Sequence, residues 1–178
     1  INGWLHTGDV GEIDADGFVT ITGRKKELYV SSGGKNVAPL VIEETMKTIP
    51  IVSQCYLVGD GRKYCSALFT LDVGAILRDK LGMDPNDIPK DPAEQSNKLG
   101  ELGHTLAEFT EGEETRAEVQ AQVDELNKRF SNPEQLKKFT ILPRDFSIDD
   151  DELTPTLKLK RNQISKNWTD TIEKMYVE

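Results

Sequence analysis

The run Val52-Ser53-Gln54-Cys55-Tyr56-Leu57-Val58, followed after Gly59-Asp60-Gly61-Arg62-Lys63 by Ser66-Ala67-Leu68-Phe69-Thr70-Leu71, decides the fold class. Both flanks are rich in strand-forming residues, and the glycine-bearing stretch between them is a turn sequence, so they read as a hairpin. Just upstream, Pro39 opens a helix at a first-turn position, where its missing N–H leaves no bond unmade. Val41, Ile42, Thr45 (through its methyl), Met46 and Ile49 fall on one helical face, and Pro50 ends the element.

Working toward the N-terminus, residues 10–13 and 18–22 read as two short strands around Asp14-Ala15-Asp16-Gly17. A further extended stretch, Glu27 to Ser31, runs into Ser32-Gly33-Gly34-Lys35-Asn36, whose paired glycines permit a tight loop. Residues 1–72 therefore combine strands, one helix and glycine turns.

Working toward the C-terminus, residues from Gly74 to about Lys138 turn helical and acidic, broken by Met83-Asp84-Pro85-Asn86-Asp87-Ile88-Pro89. Thr110-Glu111-Gly112-Glu113 has the spacing of a capping box, and Val119, Val123, Leu126 and Phe130 follow as a helical stripe. Asn132 and Pro133 read as the cap and first turn of another short helix. Phe139 to Leu142 is strand-like, and Asp149-Asp150-Asp151-Glu152 is a polar loop. Leu153-Thr154-Pro155-Thr156-Leu157-Lys158-Leu159-Lys160-Arg161 then reverses the charge. A last helix carries Ile164, Trp168, Ile172 and Met175 on one face.

Composition narrows the function classes. The 178 residues carry 22 Lys and Arg against 31 Asp and Glu, a net charge of −9. That balance argues against a chain that coats nucleic acid or an anionic membrane, both of which require a positive face. No apolar run approaches the roughly 20 residues of a membrane span, and no signal-like start is present. The first residue is Ile1, so the chain reads as a piece of a longer polypeptide. Cys55 and Cys65 flank the hairpin turn, where a disulfide is geometrically conceivable; with no Cys-x-x-Cys spacing they read as reduced structural thiols of a cytoplasmic protein.

Three polar constellations carry possible chemistry. In Gly3-Trp4-Leu5-His6-Thr7-Gly8-Asp9-Val10-Gly11, an aspartate between glycines can present two acceptor oxygens to a vicinal diol; the same residue commonly just caps a turn. Thr22-Gly23-Arg24-Lys25-Lys26-Glu27 is either a phosphate- or ribose-holding group or a solvated charge run. Lys158, between a proline and a helix, either reaches a neighbouring site as a point charge or belongs to the basic first turn of that helix. The phosphate-loop pattern, the dinucleotide glycine pattern, zinc spacings and a Ser/His/Asp set are absent. His6 reads as a packing or hydrogen-bonding residue rather than a base.

In order along the chain, Trp4 to Asp9, Thr22 to Glu27, Gly33-Gly34-Lys35-Asn36-Val37-Ala38-Pro39 with Glu43-Glu44, and Leu153 to Arg161 resemble the adenylate-forming acyl-CoA synthetases. The likeness is to the long-chain fatty acyl-CoA synthetases, the bubblegum branch in particular. It is strong over 1–72 and 139–176 and weak through the acidic middle. The resemblance implies an α+β fold, the C-terminal lid domain of such enzymes. That lid is a small mixed sheet with flanking helices, preceded by a β-hairpin and carrying a helical insertion at about 74–138. It also implies a division into residues 1–25, the end of the N-terminal domain up to the hinge, and 26–178, the lid.

The activity implied is two-step: ATP and a fatty acid give an acyl-adenylate and pyrophosphate, then coenzyme A takes the acyl group and releases AMP. By the same resemblance, Asp9 and Arg24 bind the nucleotide ribose and Lys26 is the hinge. Gly33 and Gly34 lie in the loop that CoA approaches, and Lys158 is the catalytic lysine of adenylation. Many relatives carry Gly immediately before this lysine, where Leu157 stands here; Lys160 and Arg161 are alternatives that helical spacing turns elsewhere. Mg²⁺ is expected with ATP but not bound by this segment, and no residue here is a metal ligand. The implied partner is the enzyme's own N-terminal domain, without which the segment is expected to be inactive. Peripheral membrane contact is compatible with a fatty substrate, although the net charge gives it no support. Two other readings remain: the lid of an aryl-CoA ligase, luciferase-like enzyme or peptide-synthetase adenylation domain, or a non-catalytic module docking through acidic helices at 93–130.

Overall fold

The computed structural model describes residue 3, residues 5–30 and residues 34–177. Asp9–Ile13 (β1) and Val19–Arg24 (β2) form an antiparallel hairpin in which Asp9 stands opposite Arg24. The loop between them is an Asx turn: Asp14 Oδ1 accepts from the N–H groups of Asp16 (3.0 Å) and Phe18 (2.9 Å). A register shift falls at Val10/Gly11, where a Cβ on Gly11 would lie 2.7 Å from the Thr20 carbonyl oxygen. Glycine is required at that bulge. Tyr29–Val30 (β3) and Asn36–Val37 (β4) make a second short antiparallel ribbon.

Pro39–Met46 (α1) leads to Val52–Val58 (β5) and Cys65–Leu71 (β6), the expected hairpin. The chain then enters Val73–Ala75 (α2), which widens into a π-turn over Ile76–Lys80. Pro92–Glu101 (α3), Leu106–Thr110 (α4) and Glu113–Asn127 (α5) complete the helical segment. Leu136–Ile141 (β7) returns beside β6 and parallel to it, so the sheet is mixed, in the order β5-β6-β7. Arg161–Asn167 (α6) and Thr169–Lys174 (α7) end the chain, with the break at Trp168.

The central strand β6 is buried at every position, because helices cover both faces of the sheet. On one face Ala67, Phe69 and Leu71 pack with Ile42 and Met46 of α1 and with Val119, Val123 and Leu126 of α5. On the other, Tyr56 and Leu68 pack with Leu142, Phe146, Leu153, Ile164, Ile172 and Met175. This is the expected α+β architecture; the stripe of α5 faces the sheet, and that of the expected single last helix does so divided between α6 and α7, because the helix breaks at Trp168. The cysteines are free and buried on the first face.

Four local expectations are corrected. The capping box lies at Thr105 and Glu108, at the head of α4, not at Thr110 to Glu113. Gly112 caps α5 instead, because the chain there passes so close to α4 that a Cβ would lie 2.6 Å from the Glu108 carbonyl oxygen. Asn132 and Pro133 head only a turn, since β7 begins three residues after Pro133, earlier than the expected Phe139. Val41 is exposed, and Glu43 occupies the inner face of α1 beside Ile42 and Met46. Glu152, read as part of a solvated acidic loop, is fully buried.

Candidate functional site

The hairpin presents Asp9 and Arg24 side by side because they are cross-strand partners, and Arg24 Nε lies 3.7 Å from Asp9 Oδ1. Asp9 is thus paired at the first position of a strand and is not the cap of the Asp14 turn. The ladder extends one step beyond β2, since Lys25 donates to the Gly8 carbonyl at 2.8 Å. The chain then turns, with Glu27 and Leu28 N–H both donating to the Arg24 carbonyl, at 2.9 and 3.2 Å.

Lys158 stands on a small hairpin of its own. Leu153 and Leu159 pair across it, the Thr154 N–H donates to the Lys158 carbonyl at 2.8 Å, and Thr154 Oγ1 accepts from the Lys158 N–H at 3.0 Å. The three-residue loop Pro155-Thr156-Leu157 closes with Leu157 N–H on the Thr154 carbonyl (2.8 Å) and Leu157 at φ +59°. Such loops end in a left-handed residue, for which glycine is favoured. The leucine therefore keeps the loop's shape at a cost of about 1 kcal/mol in backbone strain.

Arg24 and Lys158 line one cleft of about 450 Å³, together with Glu27, Lys47, Leu157 and Arg161. Lys158 is exposed, and among the described residues no carboxylate pairs with its ammonium. The other cations of the cleft are engaged: Lys47 with Glu44 at 3.2 Å, Arg24 with Asp9, and Arg161 with Glu43. The cleft thus holds four cations against Glu27, Glu43 and Glu44, and the Lys158 ammonium is the one of the four without a carboxylate partner among the described residues. Lys26 faces a second, larger cleft of about 870 Å³; Glu27, Leu159 and Arg161 border both and form the partition. Gly34 borders neither cleft and sits, exposed and at φ +77°, between β3 and β4; Gly33 lies outside the described residues, as does Trp4. Lys160 pairs with Asp151 and lines the larger cleft, not the one that holds Lys158.

Two buried glutamates were not legible as such. Glu43 is 3% exposed; its Oε1 accepts from the Leu57 N–H at 2.7 Å and from Arg161 Nη1 at 2.9 Å, and Arg161 Nη2 takes Oε2. Burial holds the Glu43 carboxyl above the ordinary glutamate value, and Arg161 and the Leu57 N–H offset only part of that rise. Burial lowers the Arg161 guanidinium, but Glu43 and Glu27 carry it above the ordinary arginine value. The spacing of three between Glu43 and Met46 signals the inner face of α1, yet its partner lies 118 residues away. Among the described residues no group of three His, Cys, Asp or Glu gathers as a metal site, and no helix is long and apolar enough to cross a membrane.

No family model matches the chain. Curated relatives do. It is 39% identical to the long-chain fatty acid–CoA ligase ACSBG2 of Gallus gallus over 99% of this chain and 24% of that protein. It is also 39% identical to the ligase FadD15 of Mycobacterium tuberculosis, over 98% of this chain and 27% of the relative. The murine ligase ACSBG1 is 41% identical over 99% and 25%. The chain thus spans about a quarter of the length of these relatives. Among solved structures, the adenylation domain of a carboxylate reductase from Mycobacterium chelonae superposes with a TM-score of 0.68 at 18% identity, covering 99% of this chain and 24% of that one. The corresponding domain from Segniliparus rugosus, in complex with AMP and a co-purified carboxylic acid, gives 0.66 at 20%, covering 96% and 23%. These likenesses assign the fold of the C-terminal domain of adenylate-forming enzymes. By sequence, then, the chain is similar over nearly its whole length to the C-terminal region of long-chain fatty acid–CoA ligases, the bubblegum-like ACSBG1 and ACSBG2 among them.

Proposed function

We propose that the intact protein is an AMP-forming long-chain fatty acid–CoA ligase and that this chain is its lid, with the last hairpin before the hinge. In the first step a fatty carboxylate oxygen attacks the α-phosphorus of ATP, and pyrophosphate leaves. In the second the CoA thiol attacks the acyl carbonyl, AMP leaves and the thiol proton is lost. Mg²⁺ accompanies ATP and is bound outside this segment.

The observation that carries this reading is the shared cleft of Arg24 and the unpaired Lys158. Asp9, with Arg24 beside it, offers two acceptors to the ribose diol, and Lys158 offers a positive charge between the fatty carboxylate and the α-phosphate as negative charge builds up. Lys26, after the hairpin and facing the other cleft, is the hinge, so residues 1–25 and 26–178 move as separate bodies. Rotation there exchanges the Lys158 face for the glycine loop of Gly33 and Gly34, where small residues let the CoA thiol approach. The hairpin's exposed Ile13, Phe18, Val19 and Ile21 support cover by the N-terminal part of the intact enzyme. The reading places the enzyme in the cytoplasm, with peripheral membrane contact as the source of its fatty substrate. The deciding assay is AMP release by the intact enzyme with ATP, Mg²⁺ and CoA, across acids from acetate to very long chains plus benzoate. CoA-dependent release rising with chain length supports the proposal. Release confined to short or aromatic acids removes the fatty-acid assignment, and no release with any acid removes the ligase.

A further inference from the structure

Resting on the reading of Lys158 above, we propose that Arg161 is a positioning residue for adenylate formation, which, clamped by Glu43 and leaning on Glu27, locks the Lys158 hairpin to the turn that follows Lys26. Arg161 is held at both ends. Its guanidinium meets Glu43 through both terminal nitrogens, and its carbonyl accepts from the Tyr56 hydroxyl at 3.3 Å. Glu43 is itself fixed to the sheet by the Leu57 N–H. Arg161 Nε lies 3.8 Å from Glu27 Oε2, and Glu27 is bonded through its N–H to the Arg24 carbonyl. The path from the hinge turn to the lysine therefore runs through Glu27, Arg161 and three backbone steps.

A buried ion pair is a poor way to gain stability, because desolvation cancels much of the attraction and apolar replacements are often neutral or better. What a two-pronged guanidinium–carboxylate pair supplies is direction, since both prongs must align at once. Direction is what Lys158 lacks on its own: it is exposed, without a carboxylate partner among the described residues, and is aimed only by the hairpin beneath it. The Lys160 N–H on the Glu152 carbonyl at 2.8 Å joins the two feet of that hairpin, and the other foot is tied independently through the Glu152 carboxylate, which Arg144, Asn167 and Trp168 hold. Releasing Arg161 removes the tie of the cleft-side foot to α1 and to the Glu27 turn and leaves the charge of Lys158 in place.

The test uses the intact enzyme and separates the half-reactions. Arg161→Lys keeps the charge and removes the two-pronged geometry. Adenylate formation, read as fatty-acid-dependent ATP–pyrophosphate exchange, should lose about tenfold to a hundredfold in kcat, the scale of an ångström-level misplacement. The KM for ATP and thioester formation from supplied acyl-adenylate should stay within about twofold. Glu43→Gln, which keeps the shape and removes the charge, should give the same split and serves if Arg161→Lys does not fold. Equal losses in both half-reactions, or no loss in either, would overturn the positioning role. Lys158→Ala run alongside distinguishes the two levels: if it leaves pyrophosphate exchange intact, the reading of Lys158 itself fails. If it abolishes exchange while the Arg161 and Glu43 variants show no split, only the present inference fails.

Discussion

Arg144 and Glu152 close on one another through two hydrogen bonds, Nη1 to Oε2 at 2.7 Å and Nη2 to Oε1 at 3.1 Å, with the carboxylate wholly buried. Trp168 Nε1 (2.8 Å), Asn167 Nδ2 (3.1 Å) and the Ser147 N–H (3.3 Å) donate to the same carboxylate, and the guanidinium lies over the Trp168 ring. This knot joins the loop before the Lys158 hairpin to the break between α6 and α7. Burial works to raise the Glu152 pKa, but Arg144 and the other donors outweigh it and hold the carboxyl below the ordinary glutamate value of 4.5. A depressed carboxyl binds its proton less tightly when folded than when unfolded, so its contribution is present above about pH 4.5 and is lost as pH falls through the lower folded value. Glu152→Gln should flatten that acid limb in urea unfolding measured across pH. At neutral pH it should cost about 1–3 kcal/mol, the scale of lost hydrogen bonds to a charged group, since Arg144 is partly exposed and keeps Asp150 at 3.2 Å. An unchanged acid limb would place the acid-sensitive group elsewhere.

Lys158→Ala in the intact enzyme should lower adenylate formation by about a hundredfold or more, the scale of a lost electrostatic stabiliser. Thioester formation from supplied acyl-adenylate should change far less. Equal losses in the two assays would refute a role confined to the first step.

Asp9→Ala should weaken AMP binding by about tenfold or more, as expected for lost hydrogen bonds to a charged acceptor. Its effect on stability should stay within about 1 kcal/mol, because the pair with Arg24 is long and solvated. Titration calorimetry with AMP reads the first quantity and chemical denaturation the second. Unchanged nucleotide affinity would leave Asp9 as a strand-end residue only.

Gly59→Ala tests the seat of the β5–β6 turn on the aromatic ring below it. An added Cβ would lie 2.2 Å from the Tyr29 hydroxyl oxygen, which also meets Cys65 Sγ at 3.2 Å. Overpacking of this kind should cost about 1–3 kcal/mol. A neutral result in thermal unfolding would mean that Tyr29 moves aside freely.

Leu157→Gly should stabilise the protein by no more than about 0.5 kcal/mol, because the relief of left-handed strain is offset in part by the freer unfolded chain. A drop in melting temperature would instead assign Leu157 a packing role in the cleft.

The elements were legible to the extent that they are local. Strand-forming runs on either side of a glycine turn marked the β5–β6 hairpin, Asp14 and Gly17 marked the β1–β2 turn, and Pro39 marked the start of α1. The errors have a common cause. Thr110 to Glu113 has the right residues for a capping box, but α4 ends at Thr110 and its carbonyl at Glu108 leaves no space for a side chain at 112. Val41 fits the apolar stripe of α1, yet the sheet meets that helix on the side of Glu43.

The sequence by itself determined the pieces: which runs form strands, which carry a helical stripe, and where an aspartate, an arginine and a late lysine stand along the chain. Those properties depend on neighbours a few residues apart, where the strand period of two and the helix period of 3.6 act directly. Only the tertiary structure decided that Glu43 and Glu152 are buried, that Arg161 belongs to Glu43, and that Arg24 and Lys158 share one cleft. Each of those is a contact between segments far apart in the chain. Such contacts form only where the sheet register and the packing of helices on both faces exclude water, and exclusion of water is what turns an ordinary glutamate into a paired one.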